Sequence, residues 1–237
     1  HRAAEVDAVK YKIRPGFRYP PGAKAFPDGV NFSVFSRQAQ GVMLYLYARE
    51  DSRTPFQVIR LDPDENRTFF FWHVFVEGLN SGAYYTWRVS GPDHTKEKGY
   101  RFDPGKDLLD PWARAVSARL WRRRRARKPG DNRFSSMRAI VVDEEYDWEG
   151  DRPLNHSPEK AILYELHVGG FTRHPSSGAS SPGTFSALTK TIPYLLDLGV
   201  TDVELMPIMA FDEQDLPDGA AAKRLINYWG YSPHSFF

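Results

Sequence analysis

A short apolar stretch in the last third of the chain, residues 161–168, limits the folds that this sequence can adopt. It reads Ala-Ile-Leu-Tyr-Glu-Leu-His-Val and is followed by Gly169 and Gly170. A nearly continuous apolar run of this length is typical of a strand buried on both faces, as in a parallel sheet. Glu165 and His167 are two residues apart, so they point to the same side of the predicted strand. Because buried polar groups need partners, we expect this side to line the interior of a barrel.

The residues after this stretch predict a parallel β-α-β unit. Apolar residues at helical spacing indicate a helix over 184–198, with Thr184 as its N-cap and Gly199 just past its end. Pro193 lies inside this segment and is expected to kink the helix or divide it. A second apolar strand is predicted over 200–207. Strand, helix and strand in succession predict a right-handed crossover between parallel strands.

The N-terminal part of the chain has a different pattern. Short runs rich in β-branched and aromatic residues recur with turn residues between them, which predicts an all-β sandwich over 14–92. Its predicted strands are 30–36, 42–48, 56–61, 68–76 and 83–90. Residues 1–13 are predicted to be an N-terminal extension. The proline-containing residues 93–160 are predicted to be a linker packed between two domains, with an anchored turn at 108–113 and a short strand at 140–142.

Composition and charge exclude several classes of function. The chain of 237 residues is 41% hydrophobic and 26% charged, which is typical of a globular protein. Its net charge is +2, but residues 122–128 alone carry six positive charges, so the remainder is negative and no nucleic-acid-binding surface is predicted. We expect the basic run to be a solvated loop; the alternative is a site for phosphate or nucleic acid. No apolar run is long enough to span a bilayer, so no membrane partner is predicted.

The chain contains no cysteine, which excludes disulfides and thiolate metal sites and fits a reducing, cytoplasmic location. The histidines His167, His174 and His234 lack the spacing of metal ligands, and no glycine-rich phosphate loop occurs, so no metal and no cofactor are predicted.

Aromatic residues make up 14% of the chain, and aromatic rings stack on sugars as well as on each other. A sugar-binding platform on the sandwich is one role for Trp72, Trp87, Tyr84 and Tyr85. Packing in the core or at an interface is the interpretation that we favour for these four residues.

Several segments, in order, resemble the isoamylase and glycogen-debranching branch of the α-amylase family, glycoside hydrolase family 13. In the C-terminal part they are residues 162–172, 198–208 and 227–237, the last of which begins Asn-Tyr-Trp-Gly-Tyr. In the N-terminal part, residues 27–36, 72–79 and 99–112 resemble the glycogen-binding-type module of those enzymes, carbohydrate-binding module family 48. The resemblance implies an immunoglobulin-like sandwich followed by the start of a (β/α)8 TIM barrel over 161–237, incomplete in this chain.

The resemblance also implies a hydrolase that cleaves α-1,6 branch linkages of glycogen or starch-like glucans by a retaining mechanism with two carboxylates. The family's catalytic residues lie on later barrel strands. We therefore expect them beyond residue 237, and we expect this chain alone to be inactive. Tyr231 matches the family's aromatic residue that stacks on the sugar ring beside the scissile bond, and the alternative is packing on the barrel rim. Asn227 and Trp229 are expected to support its substrate-binding loop.

Glu165, His167 and Glu204 are expected to line the barrel, either behind the active site or as hydrogen-bonded buried residues. Asp202 and Glu204 also share one side of a strand, but the family's catalytic pair lies elsewhere, so we do not assign them the chemistry. The implied partner is an α-glucan, and the oligomeric state is left open. Other functions to be weighed are a non-catalytic glucan-binding or regulatory relative, a branching enzyme and a maltooligosyltrehalose trehalohydrolase.

Overall fold

The computed structural model describes residues 10–93, 95–217 and 219–237 and divides the chain into two units. Unit 1 comprises residues 1–145 together with 234–237, and unit 2 comprises residues 146–233. Most of the predicted N-terminal extension, residues 1–9, lies outside the described residues. Over the part of the chain that is described, every helix is too short or too polar to cross a membrane.

Antiparallel strands build unit 1. They are β1 (Ile13–Pro15), β2 (Gly22–Phe26), β3 (Gly29–Phe35), β4 (Gly41–Tyr47), β5 (Gln57–Arg60), β6 (Arg67–Thr68), β7 (Phe71–Glu77), β8 (Tyr84–Ser90), β9 (Ala115–Ser117) and β10 (Arg138–Ile140). One sheet has the order β1-β7-β3-β2, with β6 paired to β7, and the other has the order β5-β4-β8-β10-β9. Two short helices, α1 (Thr95–Lys98) and α2 (Arg123–Ala126), lie in the connections.

The core of unit 1 lies between these sheets. Val30, Phe32 and Val34 of β3 are buried, as the alternation of the sequence predicts. Phe32 packs edge to face on Tyr85 of β8, with ring centroids 5.0 Å apart. Trp72 and Trp87 are also fully buried. The core interpretation of these aromatic residues is therefore confirmed for Trp72, Trp87 and Tyr85, and burial excludes them from a sugar platform.

The polar side of β3 is buried as well, which the sequence pattern did not predict. Asn31 accepts a hydrogen bond from the Phe17 amide at 2.9 Å and donates to the Phe17 carbonyl at 2.9 Å. Ser33 donates to the Arg18 carbonyl at 2.8 Å. The segment before β2 thus covers β3, and its backbone satisfies the side chains that an exposed strand would present to water.

The structure corrects the predicted linker over 93–160 and the predicted end of the sandwich at residue 92. Residues 93–145 belong to unit 1, because β10 pairs with β8 and with β9 and so extends the second sheet. Leu108 exchanges two backbone hydrogen bonds with Trp87, at 2.8 and 3.0 Å, which confirms the anchored turn at 108–113. The predicted domain 161–237 also loses its last residues to unit 1, where Ser235 donates to the Ala113 carbonyl at 2.6 Å.

Two buried carboxylates fix this added segment to the second sheet. Asp110 accepts hydrogen bonds from the Tyr85 hydroxyl at 3.0 Å and the Trp87 indole at 2.9 Å, and burial raises the pKa of Asp110. Asp107 accepts from the Arg88 guanidinium at 2.5 Å and from the Tyr47 hydroxyl at 2.6 Å. Each carboxylate has its partners on the strands, so the turn is held by side chains rather than by strand pairing alone.

Unit 2 contains a parallel strand pair with helices between the strands. Its strands and α-helices are β11 (Leu163–Leu166), α3 (Val168–Phe171), α4 (Phe185–Thr189), α5 (Ile192–Asp197) and β12 (Asp202–Leu205), and it has 3-10 turns at Pro158–Lys160, Pro175–Ser177 and Ala221–Lys223. β11 and β12 run parallel, with Leu163 opposite Asp202 and Leu166 opposite Leu205. The predicted β-α-β order and the parallel pairing are therefore confirmed.

The predicted helix over 184–198 is two helices, α4 and α5. Thr184 caps α4 by accepting a hydrogen bond from the Ala187 amide at 3.2 Å. Pro193 lies in the first turn of α5, where its missing amide proton costs no helical hydrogen bond. Gly199 ends α5 with a φ of 80° and donates to the Leu196 carbonyl, while the next amide donates to the Leu195 carbonyl. This pair of hydrogen bonds is a Schellman motif, which favours glycine at that position.

Candidate functional site

A cleft of about 450 Å³ opens where β11 and β12 end. His167 directly follows β11, and Pro207 follows the last residue of β12 by two positions. Both residues line the cleft, together with Arg173, Phe185, Glu213, Asn227 and Tyr228 among others. In sheets built from parallel strands, ligand-binding groups gather at the carboxyl ends of the strands. The position of this cleft makes it the candidate functional site of unit 2.

An aromatic cluster lies at the cleft, and two of its members, His167 and Tyr228, line it. The imidazole of His167 stacks on the ring of Tyr228, and Trp229 meets both rings edge on, at 5.7 Å from His167 and 5.9 Å from Tyr228. His167 Nε2 also lies 3.1 Å from the Tyr228 carbonyl, within hydrogen-bonding distance. The Nδ1 atom of His167 is buried without a hydrogen-bond partner among the described residues. The first strand therefore holds the loop 227–231 by ring stacking and by one polar contact.

The backbone of this loop is fixed from a second direction. The Asn227 side chain donates from Nδ2 to the Asp212 carbonyl at 3.2 Å, and the Asn227 backbone amide donates to the Glu213 carbonyl at 3.0 Å. Gly230 has a φ of 86°, and a Cβ atom there would lie 3.1 Å from the Pro207 carbonyl oxygen. Asn227 thus joins the loop to residues 212 and 213, and Gly230 allows the close approach of the loop to Pro207, just after the second strand.

Two of the predicted substrate-binding aromatic residues are largely exposed. Tyr231 is 66% exposed and Trp229 is 55% exposed. The Tyr231 side chain is therefore not part of a packed core, and its stacking on a sugar ring remains a prediction. Sequence reasoning missed Tyr228, which makes more contacts with the strand end than the residues on either side of it. Its position beside Trp229 in an aromatic run was the signal that would have found it.

Glu165 and Glu204 occupy paired positions on β11 and β12. Both side chains are exposed, and Leu163 beside them is 61% exposed, so β11 is not buried on both faces as the apolar run predicted. The physical reason is that a strand is buried on both faces only where other elements pack over both faces, and this sheet has two strands within the described residues. Neither glutamate forms an ion pair or a side-chain hydrogen bond within that part of the chain, so His167 alone of the three predicted lining residues reaches the cleft.

Asp202 begins β12 and is held in its ionised form. The Thr201 hydroxyl donates to Asp202 at 2.6 Å, and His156 Nε2 lies 2.8 Å from the same carboxylate oxygen. The hydrogen bond from Thr201 is the largest of the effects that lower the pKa of Asp202. These contacts lie at the start of the strand, away from its carboxyl end, which agrees with assigning Asp202 no catalytic role.

The sequence of this chain is similar to those of known proteins. Residues 20–113 match the sequence profile of carbohydrate-binding module 48, the isoamylase N-terminal domain. The chain is 36% identical over 234 residues to the chloroplastic isoamylase 1 of Arabidopsis thaliana, covering 96% of this chain and 30% of the relative. It is 35% identical over 231 residues to the glycogen debranching enzyme of Cronobacter sakazakii, covering 94% of this chain and 34% of the relative. The chain is thus homologous, over nearly its whole length, to part of the isoamylases and glycogen debranching enzymes. It spans about a third of the length of these relatives.

Solved structures of this group share the fold. A pullulanase variant from Paenibacillus barengoltzii in complex with maltotetraose matches 90% of this chain and 31% of its own length, at 25% identity and a TM-score of 0.65. The same pullulanase in complex with maltohexaose and α-cyclodextrin matches 98% of this chain and 33% of its own length, at 24% identity and a TM-score of 0.67. The two sheets of unit 1 are consistent with the fold of carbohydrate-binding module 48, whose profile residues 20–113 match.

Proposed function

We propose that this chain is the N-terminal part of an α-glucan debranching hydrolase that cleaves α-1,6 branch linkages with retention of configuration. Its β-α-β unit would be the opening of a (β/α)8 barrel, and its substrate would be glycogen or a starch-like glucan. The relatives' names support a debranching activity, because they are isoamylases and glycogen debranching enzymes. The coverage of about a third of each relative supports placing the catalytic carboxylates outside residues 1–237.

The cleft at the strand ends is the observation that carries this proposal. The stacked rings of His167 and Tyr228 line it, and the loop that carries Tyr228 also carries the exposed Trp229 and Tyr231. Apolar faces of pyranose rings stack on aromatic rings, and the surrounding polar groups orient the hydroxyls. In this arrangement the chain supplies substrate positioning, and the acid/base and nucleophile carboxylates, about 5–5.5 Å apart in a retaining enzyme, come from other residues.

The second candidate is a glucan-binding protein without hydrolytic activity. The carbohydrate-binding module over residues 20–113 favours it, because such a module needs no catalytic residues to bind glucan. A branching enzyme or a trehalose-releasing hydrolase would also share the module and the cleft. These candidates differ in their products, so the products of the reaction separate them.

The test is hydrolysis of amylopectin by a longer protein that contains these 237 residues and its downstream barrel. Proton NMR should show loss of the α-1,6 anomeric signal, with the released chain ends appearing first as the α-anomer. Inversion, transfer to new α-1,6 linkages, or release of trehalose would each contradict the proposal. Glucan binding without any change in the spectrum would support the non-catalytic candidate. The 237-residue chain alone serves as the control and should leave the spectrum unchanged.

A further inference from the structure

An exposed patch of aromatic rings and guanidinium groups lies on the turn between β6 and β7 of unit 1. We call it the aromatic-arginine patch, and its members are Phe35, Phe69, Phe70, Arg18 and Arg37. Phe69 is 75% exposed, Phe35 is 45% exposed and Phe70 is 38% exposed. Phe35 and Phe70 meet edge to face, with centroids 6.1 Å apart. An exposed group of large rings on an otherwise well-packed sandwich marks an interaction surface.

The backbone holds the most exposed ring away from the core. Phe69 has a φ of 55°, in the left-handed region that bulky side chains rarely occupy. Arg67 donates from Nε to the Phe69 carbonyl at 2.9 Å, and the Ser36 amide donates to the Phe70 carbonyl at 2.8 Å. Strained conformations of this kind persist where the surrounding structure fixes them, and they are concentrated at ligand-binding positions. The turn therefore presents the Phe69 ring in a fixed orientation before any ligand binds.

Charge at the patch restricts the ligand. The Arg18 guanidinium lies over the Phe69 ring at 5.6 Å, and the Arg37 guanidinium lies over the Phe70 ring at 5.4 Å. Neither arginine forms an ion pair within the described residues, so both keep donors for an incoming group. Flat rings beside guanidinium donors suit a polyhydroxylated pyranose, whose C–H face stacks and whose hydroxyl oxygens accept hydrogen bonds. The uncompensated positive charge disfavours a cationic ligand.

We propose that the aromatic-arginine patch is an α-glucan-binding site of the module, separate from the cleft of unit 2. The assignment of an α-glucan rests on the proposed function and on the match of residues 20–113 to a carbohydrate-binding module. Arg18 lies two residues before this range, and the other members of the patch lie within it. Two adjacent glucose units would cover Phe69 and Phe70, with Arg18 and Arg37 donating to their hydroxyls. This site would keep the protein on a large polymer and would leave the binding of short chains in the cleft unaffected.

The test is native affinity electrophoresis of the 237-residue chain in gels that contain increasing glycogen. The Phe69→Gly variant removes the ring and places glycine at a backbone position that glycine favours, so it should fold at least as well as the parent chain. Its dissociation constant for glycogen should be at least about tenfold larger, which is the loss of affinity expected on removing a central aromatic contact. Phe134, which is 57% exposed in the same unit, provides the matched control. Phe134→Ala should retain the parent's retardation.

Each contrary outcome is distinguishable. Equal retardation of Phe69→Gly and the parent would overturn the patch as a glucan site, and so would a parent chain that glycogen does not retard. If Phe69→Gly instead changes the sedimentation coefficient without glycogen and keeps its retardation, the patch is an interface between copies of the chain. Failure of the proposed function would appear separately, as the absence of amylopectin hydrolysis by the longer protein.

Discussion

The imidazole of His167 and the phenol ring of Tyr228 lie face to face, with centroids 4.5 Å apart and an angle of 23° between their planes. The same imidazole reaches the Tyr228 carbonyl through Nε2 at 3.1 Å. One residue at the end of a strand thus fixes both the side chain and the backbone of the loop that carries Tyr231. The geometry of the cleft in unit 2 depends on this pair more than on the exposed aromatic residues.

Replacing His167 by alanine should loosen the loop 227–231 without unfolding unit 2. A stacked aromatic pair is worth about 0.5–1.5 kcal/mol beyond the area it buries, so local opening should become about two- to tenfold more frequent. Hydrogen exchange of the 227–231 amides measures this change. His174→Ala is the control, because the His174 side chain contacts Ser176 in a neighbouring turn. Unchanged exchange in His167→Ala would show that Asn227 and Gly230 hold the loop by themselves.

Replacing Tyr231 by alanine in the longer protein should lower kcat/KM for a branched maltodextrin at least about tenfold. Tyr231→Phe should retain most of the activity, because stacking needs the ring and not the hydroxyl. The melting temperatures of both variants should match that of the parent, because Tyr231 is 66% exposed. A fall in melting temperature with activity preserved would instead assign Tyr231 to packing on the barrel rim.

Removing the buried carboxylate of Asp107 should destabilise unit 1 strongly. Asp107→Ala leaves the Arg88 guanidinium, whose side chain is 10% exposed, without its closest ion-pair partner, and the Tyr47 hydroxyl loses its acceptor. Breaking a buried pair in this way costs about 3–5 kcal/mol. Urea denaturation followed by tryptophan fluorescence measures the loss. Asp51→Ala, which breaks an exposed pair with Arg49, should cost less than about 1 kcal/mol. Similar values for the two variants would exclude the buried pair as a major source of stability.

Alkaline pH should destabilise unit 1 through two tyrosines. Burial raises the pKa of both Tyr47 and Tyr85, and the neighbouring carboxylates Asp107 and Asp110 add to the effect. A group with a raised pKa in the folded state contributes stability that is complete below its unfolded pKa, about 10 for tyrosine, and that is lost as the pH rises through the folded pKa. Between the unfolded pKa and the folded pKa, the free energy of unfolding should fall by about 1.4 kcal/mol per pH unit for each tyrosine.

Phenolate absorbance during a pH titration measures this linkage. The two buried tyrosines should ionise when unit 1 unfolds rather than together with the exposed tyrosines. Tyr47→Phe should reduce the slope of the free energy of unfolding against pH by the contribution of one proton. Ionisation of every tyrosine before the far-ultraviolet circular dichroism changes would contradict the prediction.

Replacing Gly199 by alanine should destabilise unit 2 by about 1 kcal/mol. Its φ of 80° favours glycine, and alanine there must adopt the left-handed conformation at a cost in free energy. Asn tolerates this conformation better than Ala, so Gly199→Asn should lose less stability. Limited proteolysis within 146–233 measures the difference. Equal susceptibility of the two variants would mean that the Schellman motif does not limit the stability of α5.

Local signals in the sequence predicted β11, α4, α5 and β12 of unit 2, although not α3, which begins at Val168 within the predicted strand. Non-local contacts account for most of what the sequence missed in unit 1. Thr184, Pro193 and Gly199 act through the backbone of their own helix, so their residue types alone predicted where the helices begin and end. The inclusion of β10 in the sandwich depends on pairing with β8, far away in the sequence, and on Asp110 reaching Tyr85 and Trp87. No periodicity within 93–145 reveals such contacts.

The sequence likewise predicted some features of the candidate cleft and missed others. The parallel strands followed from the pattern and the loop 227–231 from the resemblance, and the role of Asn227 in supporting the loop stays a prediction. The stacking of Tyr228 on His167 was not predicted, because it joins residues 61 positions apart. The exposure of Glu165 differs from the prediction because an apolar run specifies a strand without specifying how many neighbours the strand has.

The contact between Gly230 and Pro207 has a practical consequence for altering this protein. A side chain at position 230 would strain the backbone at its φ of 86° and would place a Cβ atom 3.1 Å from the Pro207 carbonyl oxygen. Libraries intended to change ligand preference should therefore randomise positions 229 and 231 and keep the intervening glycine. Selection would then sample new rings on an unchanged backbone path.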